Sequence, residues 1–136
     1  MVKEIIHDRF FLSQKSVEAD VNDINTAVDL LDTLKHHQDK CVGMAANMIG
    51  VNKRIIVFDD GGKYFMMYNP EIISKSDKYI TEEGCLCHCE VNSVVRYNKI
   101  KVRYQNEKFE SRVKNFKGFT AQIIQHEIDH CCGVVI

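Results

Sequence analysis

The residues best placed to do chemistry stand six from the C-terminal end: His126-Glu127-Ile128-Asp129-His130. On a helix, residues four apart lie about 40° apart around the axis and one turn along it, so His126 and His130 can grip one metal ion. Glu127 sits about 60° from His130 on the same helix, where a carboxylate reaches a water beside the ion without being a ligand itself. Two imidazoles and an adjacent general base are the requirement for metal-assisted hydrolysis of an amide or ester. Such a site also needs a third protein ligand. Only six residues follow His130, and Cys131 and Cys132 project from other parts of the helix, so the third ligand comes from upstream. The richest source is Glu82-Glu83-Gly84-Cys85-Leu86-Cys87-His88-Cys89. If that stretch is extended, Cys85, Cys87 and Cys89 point to one side and His88 to the other. Spacing alone does not choose among the three thiols.

These groups have to be positioned by a fold of modest size. The chain has 136 residues, 45% of them hydrophobic and 27% charged, as in an ordinary globular domain. One domain over 1–136 is expected, with no repeat, linker or low-complexity tract. The 18 Lys and Arg against 19 Asp and Glu give a net charge of -1. That balance argues against a strongly basic nucleic-acid platform and against a polybasic membrane anchor. The N-terminal segment is too interrupted by charge for a signal peptide, and no stretch approaches the roughly 20 apolar residues of a membrane span. A cytoplasmic location is therefore expected, where six cysteines are thiols or metal ligands rather than disulfides.

The apolar spacing of Ile24, Ala27, Val28, Leu31 and Leu34 predicts a helix from about Asp23 to His37, with Asn22 or Asp20 as cap and His36 and His37 solvated at its negative end. Arg54–Phe58 and Tyr64–Tyr68 around Asp59-Asp60-Gly61-Gly62 predict a hairpin. Further strands are expected at Glu71–Ser74, Tyr79–Thr81, Val94–Arg96, Ile100–Tyr104 and Phe109–Val113. The metal-binding helix should begin near Gly118 or Thr120 and stop near Cys132, with Gly133 in the left-handed stop position. Val134, Val135 and Ile136 then form an apolar tail packed on the core. Helix, strands and helix in that order give an α+β class.

Three short patterns, in order, resemble one family. Glu83-Gly84-Cys85-Leu86 and Gln125-His126-Glu127-Ile128-Asp129-His130 look like the two metal-site motifs of peptide deformylase, and Val42-Gly43-Met44-Ala45-Ala46-Asn47-Met48 is similar to its Gly-rich segment. The resemblance covers most of the chain from Cys41 onward. It implies the deformylase fold, antiparallel strands around a central C-terminal helix, and removal of the formyl group from N-formylmethionine of nascent bacterial polypeptides. It also implies Cys85, His126 and His130 as ligands of one divalent ion, Fe(II) expected, with Zn, Ni or Co as substitutes. Glu127 becomes general base and acid, the Leu86 N–H a donor to the oxyanion, and Val42, Gly43 and Gly84 the backbone that pairs with the peptide. Ile123, with Phe119 a turn earlier, is placed to face the methionine side chain. The ribosome near the exit tunnel is the implied larger partner.

The chain departs from the family at four points. Met48 stands where the family has Gln, and a thioether cannot donate the hydrogen bond that Gln gives the formyl oxygen. Loss of one such donor typically costs about 10²–10³ in rate. Asn47, one residue away, is a conceivable replacement. Cys41 replaces the first Gly, and Cys87 replaces the Ser after Leu86, bringing an extra thiol near the metal; otherwise Cys87, Cys131 and Cys132 read as small core residues. The chain also stops soon after the metal helix, without the longer C-terminal tail of many members. Glu83 is expected to orient its loop through hydrogen bonds, Glu82 to lie at the surface, and Asp129 to anchor on Arg96 or Arg103.

Overall fold

The computed structural model describes residues 1–135, the side chains of His88 and Cys89 excepted. The run Ile55-Ile56-Val57-Phe58 is the key to the architecture, because all four residues are buried. A strand whose successive side chains point to opposite faces can be apolar throughout only if both faces are covered. Here Ile55 and Val57 pack under the helix α2 (Ile24–His36), with Leu12, Ala27, Leu30, Leu34, Met44 and Met48. Ile56 and Phe58 face the other way, toward the C-terminal helix α3 (Gly118–Cys131), with Ala45, Met67, Ile100, Val102, Ile124 and Ile128. A short helix, α1 (Arg9–Leu12), precedes α2 and is capped by the Asp8 carboxylate.

The strands are β1 (Gly43–Ala45), β2 (Ile55–Asp60), β3 (Lys63–Cys85), β4 (His88–Gln105) and β5 (Ser111–Lys117). They form one antiparallel sheet in the order β1-β2-β3-β4-β5. The hairpin turn at Gly61 and Gly62 lies as expected, both glycines having positive φ. The strands expected at Glu71–Ser74 and Tyr79–Thr81 are in fact one strand, β3, and Val94–Arg96 and Ile100–Tyr104 are one strand, β4. Irregularities between Tyr68 and Glu71, Ile72 and Ser74, and Glu83 and Cys85 interrupt the apolar alternation without ending the pairing, so the sequence reads as pieces. The last strand runs from Ser111, not Phe109. Phe109 has φ 60 and stacks on Tyr68 with ring centroids 4.1 Å apart, so it packs from the loop ahead of the strand.

In α2 the buried stripe is Ala27, Leu30, Thr33 and Leu34, while Ile24 and Val28 of the expected stripe are each 46% exposed. Asp20 caps the 3-10 turn Val21–Asp23, reciprocally with Asp23, rather than α2 itself. His36 is exposed and His37 half-buried. Helix α3 closes as expected. The Val134 N–H donates to the Asp129 carbonyl and the Gly133 N–H to that of His130, both at 3.0 Å. This is the paired closure that a left-handed residue permits, and Gly133 has φ 79. A β-carbon there would strike the Ser13 carbonyl. Cys131 is buried at the helix end, but Cys132 is exposed, contrary to its reading as packing. Val135 packs on the core, Val134 is 43% exposed, and Ile136 lies outside the described residues. Among the described residues no helix is long and apolar enough to cross a membrane.

Candidate metal centre

Three donors converge where α3 passes the end of β3. Cys85, the last residue of β3, puts its Sγ 3.3 Å from His130 Nε2, and His130 Nε2 lies 3.2 Å from His126 Nε2. Ligands about 2.0–2.3 Å from a tetrahedral ion stand about 3.4–3.6 Å from one another, so these separations are close to the edges of one coordination shell. The stretch does not run extended through all three thiols. Leu86 and Cys87 make a two-residue turn and His88 begins β4, paired with Cys85. The Cys89 side chain lies outside the described residues.

A network of buried charge orients the candidate donors from behind. His126 Nδ1 is 2.7 Å from Glu83 Oε1. An ionised carboxylate only accepts, so Nδ1 carries the proton and Nε2 is turned toward His130. Arg96 forks onto Glu83, Nε to Oε2 at 2.9 Å and Nη2 to Oε1 at 2.7 Å, and its Nη1 reaches Asp129 Oδ2 at 2.7 Å. Gln122 Nε2 adds a fourth donor to Glu83, at 2.9 Å. Burial opposes the charge on Glu83, yet hydrogen bonds from His126, Arg96 and Gln122 outweigh it and hold the carboxyl down to about 2. On His126 burial again acts first, favouring the neutral ring, but hydrogen bonds to Cys85 and Glu83 raise it to about 10. Cys85 is pushed up to about 11 by the hydrogen-bonded Cys87 thiol and by burial, against the pull of the two imidazoles. Loading the site with a cation therefore has to displace protons.

Glu127 is buried on the cleft side of the same helix, and burial pushes its carboxyl up to about 7. Among the described residues its Oε1 has no hydrogen-bond partner, and neither does His130 Nδ1. A soft thiol, two imidazoles and an unpartnered carboxylate oxygen in one buried cluster fit a divalent transition-metal ion.

The cluster opens into a cleft of about 420 Å³. Val42, Gly43, Gly84, Cys85, Leu86, Ile123, His126 and Glu127 all line it, as the sequence leads one to expect. Phe119 lines it as well while remaining 63% exposed. Met48 is placed differently: it is fully buried in the apolar cluster beneath α2 and is not among the lining residues. Asn47 is no substitute donor, since it is fully buried outside the cleft lining with its Nδ2 turned to the His130 carbonyl at 3.0 Å. Glu82 is exposed at the rim. Of the two partners considered for Asp129, Arg96 is the one used.

Gly43 shows why one wall of the cleft is backbone. A β-carbon there would lie 2.7 Å from Ile123 Cγ2 and 2.9 Å from Glu127 Oε2. Gly43 is also opposite Phe58, and the flanking bond runs from the Asp59 N–H to the Val42 carbonyl at 2.8 Å. Gly43 is thus a non-hydrogen-bonded position of the β1–β2 pair, and its own N–H and carbonyl point away from β2 toward the open edge. Cys41 Sγ donates to that carbonyl at 2.8 Å.

Reading the sequence alone missed the fork of Arg96 on Glu83 and the helix-to-sheet bridge of Gln125, which exchanges hydrogen bonds with the Tyr97 backbone at 2.8 and 2.9 Å. Gln122 and Gln125, polar on the buried side of α3, were the available signal.

A family model for polypeptide deformylase matches residues 4–136. The chain belongs to the polypeptide deformylase family. A peptide deformylase of Clostridium beijerinckii is 48% identical over 136 residues, the full length of both chains. Among solved structures, peptide deformylase from Thermus thermophilus superposes with a TM-score of 0.88 at 29% identity, covering 99% of this chain and 83% of that one. A class I type b peptide deformylase from Acinetobacter baumannii with Met-Ala-Ser bound gives 0.89 at 28% identity, covering 99% and 97%. The deformylase family implies a divalent metal, and the converging donors are the candidates to hold it.

Proposed function

We propose that this chain is a metal-dependent deformylase that hydrolyses the N-formyl group from formylmethionyl peptides, yielding formate and a free amino terminus. The observation that carries this reading is the buried Glu127 carboxylate, its Oε1 unpartnered, beside the Cys85, His126 and His130 donors that meet through His130 Nε2, and next to an open strand edge. Cys85, His126 and His130 would hold the ion, with Fe(II) expected and Zn, Ni or Co as substitutes. The ion supplies Lewis acidity toward water and the formyl oxygen. Glu127 takes the proton of the attacking water on a carboxylate oxygen and gives it to the amine nitrogen as the C–N bond breaks. The Leu86 N–H holds the formyl oxygen as charge builds on it. The peptide lies along β1 as an added strand, paired with Gly43 and flanked by Val42 and Gly84, and Ile123 and Phe119 wall the pocket for the methionine side chain. The Met-Ala-Ser held by the Acinetobacter relative supports a peptide as the ligand. The substrates would be nascent chains near the ribosomal exit tunnel in the bacterial cytoplasm.

Met48 favours one second reading, a protein of this fold that binds metal and peptide with little turnover, because a thioether buried in the core offers no donor to the formyl oxygen. Hydrolysis of a formyl-Met dipeptide by the Fe(II)-loaded chain, prepared without oxygen and assayed beside Met48→Gln, separates the two. Turnover by the natural chain is expected. Turnover confined to Met48→Gln would establish the binding reading instead.

A further inference from the structure

One donor beside the centre has no part in this chemistry. Cys87 is the second residue of the turn that follows Cys85, and it is fully buried. Its Sγ lies 3.2 Å from Cys85 Sγ. The donor atoms of Cys85, Cys87 and His130 are all within 4.8 Å of one another, a three-donor group that overlaps the proposed ligand set at Cys85 and His130. The turn is pinned from outside, where His7 Nδ1 lies 2.9 Å from the Cys87 carbonyl, and from inside by the pairing of Cys85 with His88. The backbone of Cys87 is therefore held beside Cys85, and rotation about its Cα–Cβ bond is what moves its sulfur toward or away from the centre.

We propose that Cys87 is a further ligand of the metal centre, so that the ion carries two thiolates when no peptide occupies the cleft. The proposal rests on the assignment of Cys85, His126 and His130 as the metal site. Two sulfurs on one tetrahedral ion stand about 3.8 Å apart, so the pair needs to open by little more than about half an ångström. Binding is balanced by loss of the Cys87 thiol proton to solvent as the sulfur–metal bond forms. Two thiolates and two imidazoles make a softer and more closed donor set than one thiolate and two imidazoles. Such a set favours thiophilic ions over those preferring oxygen. It also fills the position that hydrolysis needs open, so Cys87 has to leave before a peptide is cleaved. Cys87 thereby acts on which ion is retained and on the resting state of the centre.

The test counts sulfurs. The full chain is loaded with one Co(II) without oxygen and its near-ultraviolet thiolate-to-cobalt absorption is compared with that of Cys87→Ser and Cys87→Ala. X-ray absorption on the zinc-loaded natural chain gives the sulfur number directly, without any variant having to fold. Two sulfurs are expected in the natural chain and one in each variant, with the absorption falling by about half. One sulfur in the natural chain, with absorption unchanged in the variants, overturns the proposal and leaves Cys87 as a hydrogen-bond partner of Cys85. Failure to bind cobalt, or binding with no sulfur, overturns the metal assignment as well, and so the two failures are told apart.

Discussion

The two walls of the cleft are built on different principles. The helix wall is made of side chains that brace one another. Glu83 accepts from His126, Arg96 and Gln122, and Arg96 continues to Asp129, so every group fixes at least one other. The opposite wall, β1 with Gly43, is made of backbone, and its decisive feature is a missing β-carbon. A side-chain network tolerates little change, because removing one partner strands a buried charge. A backbone wall tolerates more away from Gly43, since any residue but Pro supplies an N–H and a carbonyl. The departures from the family pattern do not all fall on one wall: Cys41 adjoins β1, Cys87 stands beside Cys85, and Met48 lies in the core beneath α2.

The largest effect is expected where the helix wall meets the reaction. Glu127→Gln keeps the shape and removes the proton carrier, so kcat/KM on a formyl-Met peptide should fall by about 10²–10⁴. Metal content should be unchanged if Cys85, His126 and His130 hold the ion as proposed; a parallel loss of metal would place Glu127, whose carboxylate is within reach of both imidazoles, among the ligands. The natural chain should lose activity on the acid side as Glu127 protonates. Burial raises this carboxyl to about 7, and a bound cation pulls it back down, so the midpoint should fall between pH 7 and the ordinary carboxylate value. A loss of less than about tenfold in the variant would remove Glu127 from the proton transfer.

Next comes the brace itself. Arg96→Met leaves Glu83 and Asp129 without their cation, and removing one partner of a buried pair typically costs about 3–5 kcal/mol. Denaturant unfolding measures this, and a titration of the variant with Zn(II) should show affinity about 10–100-fold weaker, because His126 loses its fixed carboxylate. Acid tests the same brace without mutation. Glu83 has a folded pKa of about 2, below its ordinary 4.5, so the stability it contributes is complete above pH 4.5 and is lost as pH falls toward 2. Stability independent of Arg96 would mean that the helix wall is held by packing alone.

On the backbone wall the expected effect is smaller and of another kind. Gly43→Ala forces a β-carbon against Ile123 and Glu127, an overpacking that costs about 1–3 kcal/mol. Because the clash falls on Ile123 and Glu127, it should appear as a raised KM for peptide together with a lowered kcat, with metal affinity nearly unchanged. Equal losses in metal and peptide binding would show that the two walls are not independent.

How much of this the residues alone reveal follows the same division. The helix that carries the candidate ligands is legible because they lie within five consecutive residues and its stop at Gly133 has a local cause. Cys85 is reachable only through the family pattern, since three thiols at alternate positions are equivalent until the turn at Leu86–Cys87 breaks the extended run. Gly43 is legible as a motif residue, but its reason, the approach of Ile123 and Glu127, belongs to tertiary packing. The division of β3 and β4 into short pieces is a misreading with a physical source: bulges shift the alternation while the ladder continues. The Arg96 fork on Glu83 is invisible because its partner lies 13 positions away on another strand, whereas Arg96 is one of the two partners the sequence offers Asp129.

The smallest expected effect bears most directly on the contrast, because Asn47 ties the backbone side to the helix. It sits just past β1 and donates to the His130 carbonyl, at the end of the turn that carries the candidate ligands His126 and His130. That carbonyl also accepts from the Gly133 N–H at 3.0 Å, so it stays satisfied when Asn47 is lost. Asn47→Ala should therefore cost only the net worth of one neutral hydrogen bond, about 1 kcal/mol, and leave Zn(II) affinity within a few-fold of the natural chain. The Asn47 Oδ1 is buried without a partner among the described residues, so part of even that loss is offset when the group is removed. A loss of several kcal/mol, with weakened zinc binding, would mean that His130 depends on this link. Both walls would then be braced by side chains, and the freedom of the β1 segment to vary would need another cause.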